Sequence, residues 1–508
     1  MTAITTGQEE KIAIIGAGAM GRGIAQIAVT GGYPVKIWDA NGDVAKEALS
    51  FVTKMINRSV EKGRMDEAAG KAALARLSVA GSMEDLSDST LVVEAIIENL
   101  DIKRKVFGDL EKLVSNDCIL ASNTSSLSVT AIAAACAKPG RVAGYHFFNP
   151  VPLMKVVEVV KAVRTTDDVV ERLFAIAKGM GHRAVLTQDT PGFLVNHAGR
   201  GLNTEGLRIL GEGIADTATI DNIIREAAGF RMGPFELMDL TGLDVSHKVM
   251  ESVYTQFYDE PKYKPSALAA QRFEAGLFGR KTGEGFYRYE DGQQQRPEEV
   301  PHPDARPRAV WLEAVTDEVR VLVTDLAVHA GVEIDQNAKP GADSLCLVSP
   351  IGEDVTTKVA ELGLPADRTV GIDPLFGLDK RRTLMLSPAT SAETRAAAHG
   401  LLASDEVHVS VIHDSPGFVA QRVVAMIVNI ACDIAQQRIA TPEDIEAAVK
   451  LGLGYPKGPL EYGDFLGAAT VLRILENMYA FYGDPRYRPS PWLKRRALLG
   501  LSLLTPEG

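Results

Sequence analysis

One histidine and one glutamate carry the clearest chemical signal in the chain. His146 stands among aromatic residues in YHFF, and Glu158 follows in the apolar run VVEVV. A histidine can take a proton near neutral pH, and a neighbouring carboxylate can hold one tautomer and stabilise the charged ring. An unpaired carboxylate would be costly to bury in such a run, so we expect Glu158 to have a partner. We predict a catalytic His146–Glu158 pair, with a structural ion pair as the alternative.

Polar residues elsewhere could extend this site. The cluster SNTSS at 122–126 follows a predicted strand, where one member would cap the next helix and another would contact a ribose or the substrate. Asn196 lies on a helix predicted to begin after PGF at 191–193, and its amide could bind a substrate carbonyl. An asparagine on a helix is more often simply exposed, so the residue alone does not decide between these roles.

A glycine-rich turn near the N-terminus indicates the redox chemistry. A predicted strand at 11–15 leads into GAGAMG at 16–21, a helical segment follows, and a second strand at 35–38 ends in Asp39. This order is typical of a dinucleotide-binding βαβ unit, in which the glycines let a pyrophosphate approach the helix N-terminus. Asp39 would accept hydrogen bonds from the adenosine ribose and repel a 2′-phosphate. The pattern therefore favours NAD over NADP.

Further strands are predicted at 91–96, 119–121 and 142–147, so a parallel sheet is the simplest interpretation. Long amphipathic helices without a strand signal follow from about residue 190. A segment rich in proline, glutamine and charge then suggests a linker. We predict a Rossmann-type α/β NAD-binding domain (1–189), an all-α domain (190–289), a linker (290–310), a degenerate second α/β domain (311–413) and a second all-α domain (414–508).

The second half repeats part of the first. DTPGF at 189–193 returns as DSPGF at 414–418, and Gly233-Pro234 returns as Gly458-Pro459, each 225 positions later. A constant offset indicates a duplicated helical domain. The copy has no GxGxxG, its position matching His146 falls within 371–373, and Gln421 stands where Asn196 stood. We therefore predict one active site per chain.

Composition narrows the remaining classes. The chain has 508 residues and a net charge of −12, which disfavours nucleic acid or an anionic membrane as a partner. Four scattered cysteines show no metal or disulfide spacing, so we predict no metal site and a reducing compartment. Residues 1–11 lack a signal-peptide pattern, and no apolar run reaches 18 residues. We expect a cytoplasmic protein and leave its self-association open.

Several segments in register over 11–289 resemble the L-3-hydroxyacyl-CoA dehydrogenase family. They are GAGAMG, SNTSS, YHFFNPVPLMKVVEV, DTPGFLVN, GPFELMDLTGLD and GRKTGEGFYRY. The duplicated half resembles the long bacterial members, including 3-hydroxyadipyl-CoA dehydrogenases of phenylacetate catabolism and related 3-hydroxybutyryl-CoA enzymes. The resemblance implies NAD-dependent oxidation of a (3S)-3-hydroxyacyl-CoA, as in β-oxidation, with an acyl-CoA thioester as the partner.

The resemblance also implies roles for individual residues. His146 would be the base, Glu158 would orient it, Asn196 would fix His146 and the thioester, and Ser125 would bind the reacting oxygen beside the nicotinamide. Lys62 and Ser125 would contact coenzyme A, although Lys62 could instead be an ordinary exposed lysine on a helix. The implied cofactor contacts are Gly16, Ala17, Gly18, Ala19, Met20, Gly21, Asp39, Glu98, Lys103, Ser125, Asn149 and Lys281.

Two other functions stay open at this point. One is a non-catalytic NAD- or CoA-binding protein that reuses the dehydrogenase fold. The other is a dehydrogenase of free 2-hydroxy or short 3-hydroxy acids, which the His146–Glu158 pair within this motif disfavours. The resemblance leaves the acyl chain undecided between adipyl and butyryl.

Overall fold

A computed structural model describes residues 10–313 and 316–507, and the predictions made for residues 1–9, including the absence of a signal-peptide pattern, lie outside these ranges. Eight strands between residues 12 and 188 form one sheet. They are β1 (Ile12–Ile15), β2 (Val35–Trp38), β3 (Leu77–Val79), β4 (Leu91–Glu94), β5 (Ile119–Ser122), β6 (Val142–Phe147), β7 (Val156–Lys161) and β8 (Arg183–Gln188).

The order of the strands across this sheet is β3-β2-β1-β4-β5-β6-β7-β8. Every neighbouring pair is parallel except β6 and β7, which run antiparallel. The five strands predicted from the sequence correspond to β1, β2, β4, β5 and β6, and the Rossmann-type α/β fold class is confirmed. The sequence analysis did not identify β3, β7 and β8 as strands.

Helices cover both faces of the sheet. They are α1 (Ala19–Thr30), α2 (Gly42–Glu61), α3 (Glu67–Ala75), α4 (Leu100–Leu113), α5 (Val129–Ala133) and α6 (Asp167–Gly179). Side chains alternate along each strand, so Ile12 and Ile14 pack into one core while Ala13 and Ile15 pack into another. Apolar residues on both faces explain why these strands appear in the sequence as continuous apolar runs.

The region after this sheet is helical up to a short hairpin. Its elements are α7 (Val195–Ala198), α8 (Arg200–Gly211), α9 (Thr217–Asn222), α10 (Pro234–Thr241), α11 (Leu243–Gln256), α12 (Ala267–Glu274), β9 (Arg288–Glu290) and β10 (Gln293–Gln295). The predicted linker at 290–310 begins within the hairpin and has no regular structure from 296 to 308.

The second half contains a smaller sheet and another set of helices. The strands are β11 (Ala309–Glu313), β12 (Glu333–Asp335), β13 (Ser344–Val348), β14 (Thr369–Ile372), β15 (Arg381–Leu386) and β16 (His408–His413). The helices are α13 (Asp317–Ala330), α14 (Val355–Leu362), α15 (Ala392–Leu402), α16 (Ala420–Gln436), α17 (Pro442–Leu453), α18 (Pro459–Leu466), α19 (Ala468–Tyr482) and α20 (Pro491–Leu499).

The smaller sheet reproduces part of the first. Its strand order is β12-β11-β13-β14-β15-β16, and β14 and β15 form its antiparallel pair. The predicted degenerate α/β unit is therefore present with six described strands instead of eight. The predicted boundaries between the domains stay predictions.

The repeated motif has a structural role in both copies. Asp189 accepts hydrogen bonds from the backbone N–H of Val129 (3.0 Å) and Thr130 (2.6 Å) at the start of α5. Asp414 accepts from the N–H of Val355 (2.8 Å) at the start of α14. A carboxylate at a helix N-terminus satisfies N–H groups that have no partner within the helix. The first residue of each motif thus caps a helix.

The chain divides into two compact units, and the first includes a segment from the second half of the sequence. One unit comprises the chain up to His197 together with Gln437–Gly454, and the other comprises Ala198–Gln436 and Tyr455–Gly508. Within the first unit, Gln188 N–H donates to Ile439 C=O over 2.9 Å. Within the second, His413 N–H donates to Ile214 C=O over the same distance. Each copy therefore supplies the other with the same contact at the end of its last strand.

A buried ion pair joins the two copies inside the second unit. Arg422 on α16 and Glu205 on α8 have fully buried side chains, with Nη2 and Oε1 2.8 Å apart. The hydroxyl of Tyr487 donates to the same Glu205 oxygen over 2.9 Å. Buried charges persist only with such partners, so the helices are held in one register.

None of the helices in the described residues combines the length and apolarity that a membrane span requires.

Candidate active site

The predicted histidine and glutamate are in contact. His146 Nδ1 lies 2.5 Å from Glu158 Oε2, with His146 5% and Glu158 0% exposed. The antiparallel pairing of β6 and β7 sets the two residues directly opposite each other, so both side chains leave the same face of the sheet. With Nδ1–H donating to the carboxylate, the other ring nitrogen, Nε2, is the one that can exchange a proton with a substrate.

The second oxygen of Glu158 is fixed by the start of α7. Oε1 accepts hydrogen bonds from the backbone N–H of Leu194 (2.9 Å) and Val195 (2.7 Å). Asn196, which the sequence analysis selects as a substrate contact, is the next residue. The carboxylate of Glu158 thereby links β7 to α7, the helix that carries Asn196.

The SNTSS loop lies beside the strand that carries the histidine. Asn123 Oδ1 accepts a hydrogen bond from Phe147 N–H over 2.8 Å. Glu98 Oε1 accepts from Thr124 Oγ1 (2.6 Å) and from Ser125 N–H (3.0 Å). Glu98, a predicted cofactor contact, thus holds the loop that carries Ser125.

The glycine turn fits the pyrophosphate of a dinucleotide. A Cβ on Gly16, whose φ is +95°, would lie 2.5 Å from Ala95 C=O, and one on Gly21 would lie 1.8 Å from Gly16 C=O. Only glycine fits at these two positions. A Cβ on Gly18 would meet no atom within 4 Å, so space is open in front of the N-terminus of α1, where Ala19 and Met20 begin the helix.

Asp39 joins this turn to the end of β2. Its Oδ2 accepts from Ala17 N–H over 2.8 Å, and its Oδ1 accepts from Asn41 N–H over 2.9 Å. Each oxygen keeps lone pairs for a ribose hydroxyl. Trp38, Asp39 and Met83 line a cleft of about 610 Å³ here, which suits an adenosine.

The side chain of Lys103 is buried, whereas its predicted contact with the cofactor requires an accessible side chain. Its side chain is 1% exposed, with Nζ 2.5 Å from Glu94 Oε1 and 3.3 Å from Glu98 Oε2. Glu94 was not predicted as a site residue, although it stands in the apolar run LVVEAI, where the need of a buried carboxylate for a partner could have identified it.

Lys62 lines a second, basic cleft. The cleft has a volume of about 590 Å³, and Arg22, Arg58 and Arg64 line it as well. Asn149, a predicted cofactor contact, lies in the same cleft. Four cationic side chains around one cavity suit a ligand with several phosphates.

Lys281 belongs to the other compact unit. Its Nζ lies 2.5 Å from Asp244 Oδ1, and the side chain is half-exposed. Its predicted contact with the cofactor stays a prediction.

In the second copy, the position that corresponds to His146 carries Asp373, which is buried. Asp373 N–H donates to Thr383 C=O over 3.2 Å, which places these residues where His146 and Glu158 stand in the first copy. Gln421 donates from Nε2 to Asp373 Oδ1 over 3.0 Å. Burial raises the pKa of Asp373 to about 7, despite this bond and one from Leu375.

Direct packing closes the cleft of that copy. Gln421 Oε1 accepts from Gly352 N–H over 2.9 Å, and a Cβ on Gly352 would lie 2.6 Å from Ile474 Cα on α19. The loop that corresponds to SNTSS therefore packs directly against α19. The described residues also contain no cluster of His, Cys, Asp or Glu placed to bind a metal ion.

Two family models match the chain. The model for "3-hydroxyacyl-CoA dehydrogenase, NAD binding domain" matches residues 11–190, and the model for "3-hydroxyacyl-CoA dehydrogenase, C-terminal domain" matches residues 192–289 and 417–503. The second model thus matches both helical copies.

Individual relatives match over different lengths. The chain is 36% identical over 491 residues to a 3-hydroxyadipyl-CoA dehydrogenase of Escherichia coli (strain K12), covering 96% of this chain and 98% of the relative. It is 38% identical to a probable 3-hydroxybutyryl-CoA dehydrogenase of Bacillus subtilis (strain 168), over 56% of this chain and 98% of the relative. A crystal structure of 3-hydroxybutyryl-CoA dehydrogenase from Escherichia coli K12 superposes with a TM-score of 0.84 and 34% identity, covering 97% of this chain and 99% of that one.

The buried Asp373 should make stability depend on pH. The folded state keeps a proton on this residue up to about pH 7, whereas the unfolded chain loses it near pH 4, so stability should fall as pH rises through this window. We expect Asp373→Asn to reduce the measured fall by about 3 kcal/mol between pH 5 and pH 8. Urea denaturation at several pH values measures it.

Asp379→Asn, the same change at an exposed aspartate of that unit, provides the control and should follow the wild-type profile. Parallel pH profiles for wild type and Asp373→Asn would contradict the prediction.

Proposed function

Because the chain belongs to the 3-hydroxyacyl-CoA dehydrogenase family, we propose that its His146–Glu158 pair carries out the NAD-dependent oxidation of a (3S)-3-hydroxyacyl-CoA to the 3-oxoacyl-CoA. The family and the cofactor predicted from the sequence are confirmed. The observation that supports the role of the pair is the 2.5 Å contact between His146 Nδ1 and the fully buried carboxylate of Glu158.

The geometry suits general base catalysis. His146 Nε2 takes the proton of the 3-hydroxyl group, and the imidazolium that forms is stabilised by Glu158 through Nδ1–H. The N–H groups of Leu194 and Val195 hold this carboxylate still while the charge on the ring changes. The glycine turn and Asp39 would hold NAD, which would supply the acceptor for the hydride that leaves C3. Ser125 and Asn196 would bind the reacting oxygen and the thioester, which keeps C3 oriented.

His146→Gln tests the base. The variant should lower kcat by about 1,000-fold because no group remains to take the hydroxyl proton, while the Kd for NADH stays within about twofold. Acetoacetyl-CoA-dependent NADH oxidation at 340 nm measures the first, and NADH fluorescence titration the second.

His182→Gln is a matched control, since His182 is also 5% exposed in the same unit, and it should retain kcat. Retained turnover in His146→Gln would refute the assignment of the base. Wild-type protein without any turnover would favour a non-catalytic NAD- or CoA-binding role.

We propose that the nucleotide end of coenzyme A occupies the basic cleft around Lys62. Lys62→Met should raise KM for acetoacetyl-CoA about fivefold with little change in kcat, because a phosphate contact is lost away from the reacting centre. The effect should disappear with acetoacetyl-pantetheine, which lacks the nucleotide. Lys71→Met, an exposed lysine on α3, is the control. An equal rise in KM for both substrates would contradict the assignment.

We propose that the preferred acyl chain is 3-hydroxyadipyl, as in phenylacetate catabolism. The support is the match along nearly the whole chain to a relative named for that substrate. We expect kcat/KM for (3S)-3-hydroxyadipyl-CoA to exceed that for (3S)-3-hydroxybutyryl-CoA at least about tenfold. The reverse ratio, measured by NADH formation, would favour the butyryl alternative.

We infer a cytoplasmic location. Its support is that all four cysteines are free and buried, which fits a reducing compartment.

A further inference from the structure

A buried charged cluster lies behind the loop at 122–126 and takes no part in the proton transfer. Glu94 ends the central strand β4 and is fully buried. Its Oε1 lies 2.5 Å from Lys103 Nζ, and its Oε2 accepts from Ser122 Oγ over 2.6 Å. A carboxylate this far from water stays charged only with such partners, so the cluster is costly unless it is complete.

Glu94 also shapes the backbone next to the glycine turn. Ile96 N–H donates to Oε1 over 2.7 Å, and Asn123 N–H donates to the backbone C=O of Glu94 over 2.8 Å. The intervening Ala95 C=O lies where a Cβ on Gly16 would meet it at 2.5 Å. The side chain of Glu94 therefore touches the segment that packs on the glycine turn and the last residue of β5, and its backbone touches the loop that follows β5.

Lys103 connects this cluster to Glu98. Its Nζ lies 3.3 Å from Glu98 Oε2, and Glu98 Oε1 holds Thr124 and the backbone of Ser125. Burial alone would raise the pKa of Glu98, but the hydrogen bond from Thr124 and the charge of Lys103 hold the pKa below its usual value. Glu98 therefore stays charged and keeps its hydrogen bonds to the loop.

We propose that Glu94 is a positioning residue for the cofactor side of the site. It holds Lys103 and Ser122, Lys103 holds Glu98, and Glu98 fixes the loop that carries Ser125. Lys103 acts in the same way, through the two carboxylates, since its side chain is 1% exposed. This inference rests on the proposed role of the Ser125 loop at the nicotinamide.

Glu94→Gln tests the proposal because it keeps the size of the side chain and removes its charge. Lys103 and the loop should shift, which raises the Kd for NADH about tenfold and lowers kcat about tenfold. KM for acetoacetyl-CoA should stay within about twofold, since the cleft around Lys62 is lined by other elements. Fluorescence titration and steady-state kinetics provide these values.

Two further variants separate positioning from stability. Val92→Ala removes buried volume from the same strand and should lower the melting temperature while leaving the Kd for NADH unchanged. Glu94→Gln with Lys103→Met removes the Glu94–Lys103 pair but leaves Glu98 without its cation, so it should recover part of the melting temperature without recovering NADH affinity. A wild-type Kd and kcat in Glu94→Gln, or affinity that recovers together with the melting temperature, would overturn the proposal.

Ser122→Ala keeps the proposal testable if Glu94→Gln does not fold, because it removes one hydrogen bond to the same carboxylate. It should raise the Kd for NADH about threefold, and an unchanged Kd overturns the proposal. Ser125→Ala tests the loop separately. Wild-type kinetics in the Ser125→Ala variant would contradict the proposed role of the loop. Impaired kinetics in Ser125→Ala together with wild-type kinetics in Glu94→Gln would contradict only the positioning role of Glu94.

Discussion

The antiparallel pairing of β6 and β7 is the constraint on which the site depends. In the parallel part of the sheet, a residue at the end of one strand faces only the end of the next. The reversal instead brings the end of β6 opposite the first half of β7, so His146 meets Glu158 across the ladder. It also leaves the connection between the strands at the carboxyl edge, where residues 149–153 line the basic cleft. One reversal therefore supplies the proposed base, its partner and a wall of the cleft.

The second copy shows that this framework and its chemistry are separable. The reversal persists between β14 and β15, and Asp414 caps α14 as Asp189 caps α5. The positions that correspond to His146 and Glu158 carry Asp373 and Thr383 instead. Strand register and helix caps stabilise the fold in both copies, whereas a base and an open cleft are needed only where a reaction takes place.

Much of the fold and of the site could be predicted from the sequence, and the physical reasons differ. Strands buried on both faces appear as apolar runs, and the glycine turn has a steric requirement that only glycine meets, so both signals are local. His146 and Glu158 could be paired because a carboxylate in an apolar run needs a partner. Glu94 also stands inside an apolar run, LVVEAI, so the same argument applies to it, but no local pattern identifies its partner Ser122, which lies 28 residues further along the chain. That Gln437–Gly454 belongs to the first unit could not be predicted, because a constant offset shows that a segment is duplicated but not which elements it packs against.

The position of α17 has a consequence for the synthesis of the protein. This helix belongs to the first unit, where Glu443 pairs with Arg183 on β8 across 260 residues of chain, and Asp444 accepts from Leu186 N–H. A ribosome that adds about 5 to 20 residues per second needs roughly 15 to 50 s between the two. During that time β7 and β8 of the nascent NAD-binding sheet lack the cover of α17, and exposed apolar surface is what chaperones bind. The duplication thus ties completion of the first unit to the synthesis of the second helical copy.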